Sequence, residues 1–512
     1  CMILTMVPGG VSHSEAAWAE THTSHPVCGA TCSHTGGDTH SSVTFDKWLA
    51  SDYGTDASTL VLRAGDSTHT YGDTLKKNDN NWVLPEGKYY LKDDITVEYA
   101  IVISGKVTIC LNGKTITGKT AANHNTTYPV FRVASGGSLT LTDCKENSGK
   151  VTHSGYSAVY GVPSGVQVLK DGTFNMYGGK ISGNAIEGVS LTDDGGIFRM
   201  YGGEISGNQD GVYVGNSAVF NMSGGTIKNH KRGKGVYCKG EFNMSGGTIS
   251  DCSDGVYLTC YQNTSGYGYG YGKFKMTGGK ITGNYYGVAL YAYFDSTNGV
   301  RNEHILKRSE FTMTGGEITG NTDCGVDAGA SSSSSGSNTA AGGTLLVGGT
   351  AKIQNNGTEN YKCNVYLDEG EIKLASTALT EGAYIGITPG ANRRKTLTAG
   401  NPDTIVAVRS QGDVSGYFHS DRSEYEIQNG ENNKVLLALK PHTHIWNYTT
   451  SGYSTVSVSC TGTAGTCDYQ TTPATLTISM DKDVYAYDVN MTAPKATLTH
   501  SANWPSDLAE AK

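Results

Sequence analysis

Residues 198–208 read Phe-Arg-Met-Tyr-Gly-Gly-Glu-Ile-Ser-Gly-Asn (FRMYGGEISGN), and the fold follows from the fact that this stretch recurs. The same pattern, F-x-M-x-G-G-x-I-x-G-N, appears at 174–184 (FNMYGGKISGN), 274–284 (FKMTGGKITGN) and 311–321 (FTMTGGEITGN). The copy at 220–229 (FNMSGGTIKN) reads as shortened by the loss of the second-turn glycine, another runs over 242–251 (FNMSGGTISD), and a worn copy sits at 345–355 (LLVGGTAKIQN). Successive Phe positions are 24, 22, 22, 32 and 37 residues apart, and six of the ten methionines occupy one repeat position. A recurring unit near 22 residues is the mark of a solenoid. Propeller blades need about 40 residues per unit and leucine-rich repeats need their own leucine frame, so neither fits.

Each unit divides into three strand-like pieces. Phe and Met lie two apart and point inward by strand alternation; Gly-Gly turns the chain; Ile is the inward residue of the second piece; Gly-Asn turns it again. A Gly-Val piece follows at Gly188, Gly211, Gly235, Gly255 and Gly287. Three strands and three turns per coil predict an all-β, right-handed parallel β-helix, with coils stacked at the strand spacing of about 4.8 Å and Phe, Met, Ile and Val columns forming the core. Residues 105–118 and 136–144 carry the same alternation and read as leading coils. Residues 364–374 and 383–387 read as closing coils, and 417–439 as a hairpin that caps the end. The terminal coils need covering because unpaired strand edges invite aggregation.

Outside the repeats the chain divides further. Residues 1–19 end in Ala17-Trp18-Ala19, a small-x-small cleavage pattern, and are expected to be a signal-peptide remnant; a lipidated Cys1 is the rival reading. Residues 20–45 form a His/Cys-rich leader, 46–440 the β-helix, and 441–512 a small β module that reads as truncated. Export places the chain outside the cell or on its surface, in an oxidising setting.

Composition agrees. There are 69 glycines in 512 residues, near twice the usual share of about 7%, and only 11 prolines, which argues against collagen. The net charge of −8 speaks against nucleic acid, whose phosphates need a basic surface. No apolar run approaches the ~20 residues of a membrane helix. The chain is expected to be a monomer.

The residues from about 85 to 440 resemble the right-handed β-helix proteins of the pectate-lyase-like superfamily. More closely they are similar to large secreted surface proteins of gut-type Gram-positive bacteria built on F-x-M-x-G-G-x-I-x-G-N repeats. The resemblance implies the fold; for function it spans polysaccharide lyases, glycoside hydrolases and adhesin-like proteins without catalysis.

Several groups of residues carry possible chemistry. His25, Cys28, Cys32 and His34, with His22 and His40 nearby, have the short spacing of a structural zinc site; a Cys28–Cys32 disulfide is the alternative. His442, His444, Cys460 and Cys467 repeat the choice between zinc and a Cys460–Cys467 disulfide. Cys110, Cys144, Cys238, Cys252, Cys260, Cys324 and Cys363 are expected as separate core thiols, although Cys252 and Cys260 are close enough in sequence to pair. The column before each Gly-Val holds Glu187, Asp210, Lys234, Asp254, Tyr286 and Cys324. Glu187, Asp210 and Asp254 are the candidates for acid–base work, because retaining glycosidases need carboxyls about 5–5.5 Å apart; ordinary turn chemistry is the alternative. Asp193-Asp194 sits in a turn. Tyr213, Tyr237 and Tyr257 form an outward strip suited to sugar rings or to mutual stacking. Three insertions follow the Gly-Val strands on one side, and the first brings Tyr267, Tyr269 and Tyr271. The leading expectation is a secreted or cell-surface protein that binds a host or dietary polysaccharide, or cell wall, without catalysis. A polysaccharide-degrading hydrolase or lyase and a structural spacer are the alternatives.

Overall fold

The computed structural model describes residues 24–26, 42–53, 60–66, 73–78, 81–119, 126–145, 148–154, 160–161, 163–262, 269–291, 308–329, 342–368, 370–397, 401–406, 411–440, 444–452, 454–461, 472–480, 496–502 and 504. The chain divides into two compact units, residues 1–386 and 387–512.

The first unit is a parallel β-helix. One coil shows the plan: strands Ile197–Met200, Glu204–Ser206 and Asp210–Val214, separated by turns. Each strand pairs in parallel with its counterpart in the next coil, Phe198 with Phe220, Ile205 with Ile227 and Val212 with Val236. The Phe-Met strands stack into one 14-stranded sheet, whose first members, Lys47–Tyr53, Leu60–Asp66 and Asp73–Thr74, pair antiparallel. The Ile and Gly-Val strands form a second long sheet. The leading coils predicted at 105–118 and 136–144 are present, with Val107 beside Leu139 and Ile109 beside Leu141.

The core is a set of like-on-like columns. Phe174, Phe198, Phe220, Phe242, Phe274 and Phe311 stack face to face with centroids 4.6–4.8 Å apart, so that neighbouring rings sit at the strand spacing. Identical residues in register make the packing of one coil the template for the next. The Gly-Gly turn is tied to the methionine column. Gly247 has φ +86°, a left-handed conformation that costs glycine least, and a Cβ there would lie 2.6 Å from Met222 Cε of the preceding coil.

The copy at 220–229, read as shortened, is full length, as is the copy at 242–251. Asn229 (φ 62°) and Asp251 (φ 56°) stand where other coils place Gly183 and Gly207, because Asn and Asp adopt the left-handed region more readily than other side chains. The next residue in each coil fills a buried column: Asn184, Asn208, His230, Cys252, Asn284, Asn321 and Asn356. Its asparagines are linked. Asn208 Oδ1 accepts hydrogen bonds from Asn184 N and Nδ2, both at 2.9 Å. Asn321 Oδ1 accepts from Asn284 N at 3.1 Å and Nδ2 at 3.0 Å, and Asn356 Oδ1 accepts from Asn321 N and Nδ2. The Gly of Gly-Val gives this column its room: a Cβ on Gly188 would lie 2.7 Å from Asn208 Nδ2.

The thiols correct one expectation. Cys324 and Cys363 are not separate core thiols; they form a disulfide with Cα atoms 4.7 Å apart. Val326 pairs with Val365, so the two cysteines hold equivalent positions in adjacent coils, and the register brings them within bonding reach. They lie 39 residues apart in sequence, across an insertion after the Gly-Val strand, and closing a loop of that length restricts the unfolded chain.

In the second unit, Asp403–Val406, Tyr425–Asn429 and Val435–Leu439 form an antiparallel sheet that contains the hairpin predicted at 417–439. A four-stranded antiparallel sheet follows: Trp446–Ser451, Thr455–Cys460, Ala474–Met480 and Ala496–His500. No helix among the described residues is long and apolar enough to cross a membrane.

Candidate ligand-binding faces

The Gly-Val strands present the tyrosine strip. Tyr213, Tyr237 and Tyr257 pair in register and are half-buried. Their rings meet edge to face, with centroids 5.5 and 5.3 Å apart and planes at 87° and 88°, and Tyr291 continues the row at 5.0 Å. Lys239 Nζ lies 5.2 Å from the Tyr213 ring centroid and 5.7 Å from that of Tyr237; Lys234 Nζ lies 5.6 and 5.3 Å from Tyr237 and Tyr257. Tyr213 donates its hydroxyl to Asp193 Oδ1 at 2.8 Å. The strip is therefore an interlocked set of aromatic and cation–π contacts.

The carboxylate column lies on the same strands. Glu187 is beside Asp210, Lys234 beside Asp254, and Asp254 beside Tyr286. Lys234 thus separates Asp210 from Asp254, and Asp210 Oδ1 accepts the Lys234 backbone N–H at 2.7 Å. Glu187 is one of the column's two perturbed carboxylates. Burial, with a smaller contribution from Asp210, pushes its carboxyl up to about 7, and its Oε2 has no hydrogen-bond partner among the described residues. Burial likewise raises Asp254 to about 6, with Lys234 opposing. Asp193 and Asp194 serve their turn: Asp193 Oδ1 also accepts from Asn216 N, and Asp194 Oδ1 accepts from the Thr192 hydroxyl.

The Glu187 shift makes a prediction. Between the ordinary 4.5 and about 7, the folded state keeps a proton that the unfolded chain releases, so stability falls as pH rises through that window. Glu187→Gln is expected to raise stability at pH 8 by on the order of 2 kcal/mol and to leave it unchanged at pH 4. Denaturant titrations at the two pH values check this; equal effects at both would place Glu187 in contact with solvent.

The first insertion forms a hairpin, Cys260–Gln262 with Tyr269–Tyr271. Tyr271 comes down beside Lys273, whose Nζ is 4.7 Å from the ring centroid. With Asn216, Ser217, Gly240 and Glu241 these two line a hollow of about 220 Å³ at the turn after the tyrosine strip. Tyr269 belongs to the hairpin backbone, and Tyr267 lies outside the described residues.

A larger groove, about 300 Å³, lies on the outer face of the 14-stranded sheet. Arg199, Asn221, Asn243 and Lys275 follow one another in register along it, and Tyr201, Ser223, Ser245 and Thr277 flank them. Asn243 Nδ2 donates to Asn221 Oδ1 at 3.1 Å and to Glu241 Oε1 at 2.8 Å, and Tyr201 stacks on Tyr177 at 4.6 Å. None of these residues is among the candidates that stand out in the sequence. Their signal is the outward x of F-x-M, which is Asn, Arg or Lys in five successive copies while its neighbours are apolar.

Of the two Cys/His groups, Cys28, Cys32, His34, His442 and Cys467, with His22 and His40, lie outside the described residues. His25 falls in a short strand, Ser24–Pro26, opposite Val43. Cys460 is buried and pairs in register with Trp446, on which His444 stacks at 4.3 Å. Cys110 and Cys144, expected as separate core thiols, converge instead: each offers sulfur within 4.8 Å of the other and of an Asp143 carboxylate oxygen. Cys238 and Cys252 behave as core thiols, buried and with Sγ donating to the Gly240 and Ser250 carbonyls. Cys260 falls in the hairpin, its side chain outside the description.

No family model, curated protein or solved structure matches the chain. The fold stands on the parallel pairing and the stacked columns alone.

Proposed function

We propose that this chain is a secreted or surface-displayed β-helix protein that binds an extended polysaccharide along its flank without cleaving it, in the manner of the adhesin-like proteins its repeats resemble. The observation that carries this reading is the groove over Arg199, Asn221, Asn243 and Lys275. Three strand steps separate its ends, about 14 Å at 4.8 Å per step, a span suited to a short run of sugar units. Amide side chains that both donate and accept suit sugar hydroxyls, and Tyr201 adds an aromatic edge. The groove lining holds no carboxylate, so a bound chain meets no acid–base pair there. Display of many copies would raise modest affinity through avidity.

A glycan array probed with the full chain identifies the ligand, and titration with variants locates the seat. Asn221→Ala combined with Asn243→Ala is expected to weaken binding at least 10-fold with little change in melting temperature. Tyr237→Ala with Tyr257→Ala is expected to lower stability, because those rings pack on one another, and to leave affinity near wild type. The reverse pattern would move the seat to the tyrosine strip and the Tyr271 hollow. Absence of any glycan binding would leave the spacer reading.

One observation favours hydrolysis as a second reading: Glu187, with its carboxyl raised to about 7 beside Asp210, has the character of a general acid. Release of reducing sugar that disappears in Glu187→Gln would establish it.

A further inference from the structure

Two adjacent coils near the start of the β-helix bring together donor groups that lie far apart in sequence. Cys110 ends the strand Lys106–Cys110, which pairs in parallel with Ser138–Thr142, Cys110 facing Thr142. The pairing continues through Leu111 N to Thr142 O at 2.9 Å, so the turn carrying Asp143 and Cys144 is held against the turn carrying Asn112. The two sulfurs and an Asp143 carboxylate oxygen all lie within 4.8 Å of one another. Cys110 is buried in the core beside Phe45, while Cys144 is half-buried.

The oxygen donors are held in place. Asp143 Oδ1 accepts from Gly113 N at 2.8 Å and Lys145 N at 3.2 Å, and Oδ2 accepts from Gly149 N at 2.6 Å. A carboxylate has about four acceptor positions, so one on Oδ2 is left. Asn112 sits in the left-handed region at φ 51° and donates Nδ2 to the Leu91 carbonyl at 3.1 Å, which turns its Oδ1 toward Cys144 Sγ at 3.4 Å. Backbone bonds that fix ligand orientation are what a metal site needs around its ligands. Cys144 Sγ thus donates to a side-chain oxygen beside a second sulfur, whereas Cys238 and Cys252 donate to backbone carbonyls.

We propose that Cys110, Cys144 and Asp143 form a binding site for a thiophilic divalent cation of the zinc class, with Asn112 Oδ1 or water as the fourth donor. Two sulfurs with hard oxygen donors suit zinc better than calcium or magnesium, which take oxygen alone. Binding displaces the two thiol protons to solvent, and no electron moves. The half-buried Cys144 side is the entry path. A cation there clips two coils across residues 110–144, at the end of the solenoid where fewer neighbouring coils hold the stack.

The test uses the full chain, reduced, stripped with a chelator and titrated with Co²⁺ as a spectroscopic stand-in for zinc. Wild type is expected to show thiolate-to-cobalt charge-transfer absorption, and Cys144→Ser to lose one metal equivalent. Comparing equivalents between the two proteins separates this site from the terminal Cys/His groups, which both proteins share. A second measurement needs no variant: zinc is expected to slow alkylation of Cys144 at least 10-fold. The proposal is overturned by equal metal content in wild type and Cys144→Ser, by an alkylation rate that zinc leaves unchanged, or by a Cys110–Cys144 disulfide in the peptide map of metal-treated protein.

Discussion

Met222→Asp is expected to abolish the cooperative thermal transition of the β-helix. Met222 is 1% exposed, stacked between Met200 and Met244 and set against the Gly247 turn of the next coil. A carboxylate there would lie between two methionines and against a glycine turn, and burying a charge without a partner costs several kcal/mol even after relaxation. Total stabilities of domains are about 5–15 kcal/mol, so one such change removes a large part of the whole. The damage spreads to both neighbours, because a solenoid coil is stabilised through its two interfaces. Met222→Leu, which conserves volume and polarity, is expected to cost under about 1.5 kcal/mol. Circular dichroism melts of the three proteins check this; a wild-type melt for the Asp variant would mean that the methionine column faces solvent.

Asn321→Ala is expected to be nearly as damaging, at about 3–5 kcal/mol. Asn321 is fully buried; its Oδ1 accepts from Asn284 N and Nδ2, and its Nδ2 donates to Asn356 Oδ1 and to the Ile281 carbonyl. Alanine leaves the buried Asn284 N–H and Ile281 carbonyl without these bonds, each at about 1–3 kcal/mol, and opens a cavity. Linked buried bonds also reinforce one another. Urea unfolding measures the loss. A cost under 1 kcal/mol would mean that water takes over the amide's bonds and that the column is a consequence of the stack rather than a support for it.

The repeat was enough to read the fold. Phe, Met, Ile and Val recur at positions that alternation turns inward, and only a parallel stack buries all four columns at once. The same reading misjudged the copy at 220–229, where Asn229 takes a glycine's backbone conformation, as Asp251 does in the next coil. A consensus letter hides the fact that a left-handed turn accepts three residue types. It also treated the consensus Asn as turn chemistry, whereas the asparagines form a buried hydrogen-bonded column. The tyrosine strip was legible because its residues recur in the Gly-Val strand. That its rings meet edge to face under lysines was not, since ring orientation depends on what lies above and below.

What the sequence determined by itself is therefore whatever the period encodes: an all-β solenoid, the inward columns, the outward tyrosines and the place where insertions grow. Tertiary structure alone decided the pairings across coils. Cys324 meets Cys363, Cys110 meets Cys144 and Asp143, and Arg199 to Lys275 line one groove. The insertions vary the number of residues between coils, so sequence distance does not report which positions coincide, and the stack sets neighbours by strand register instead.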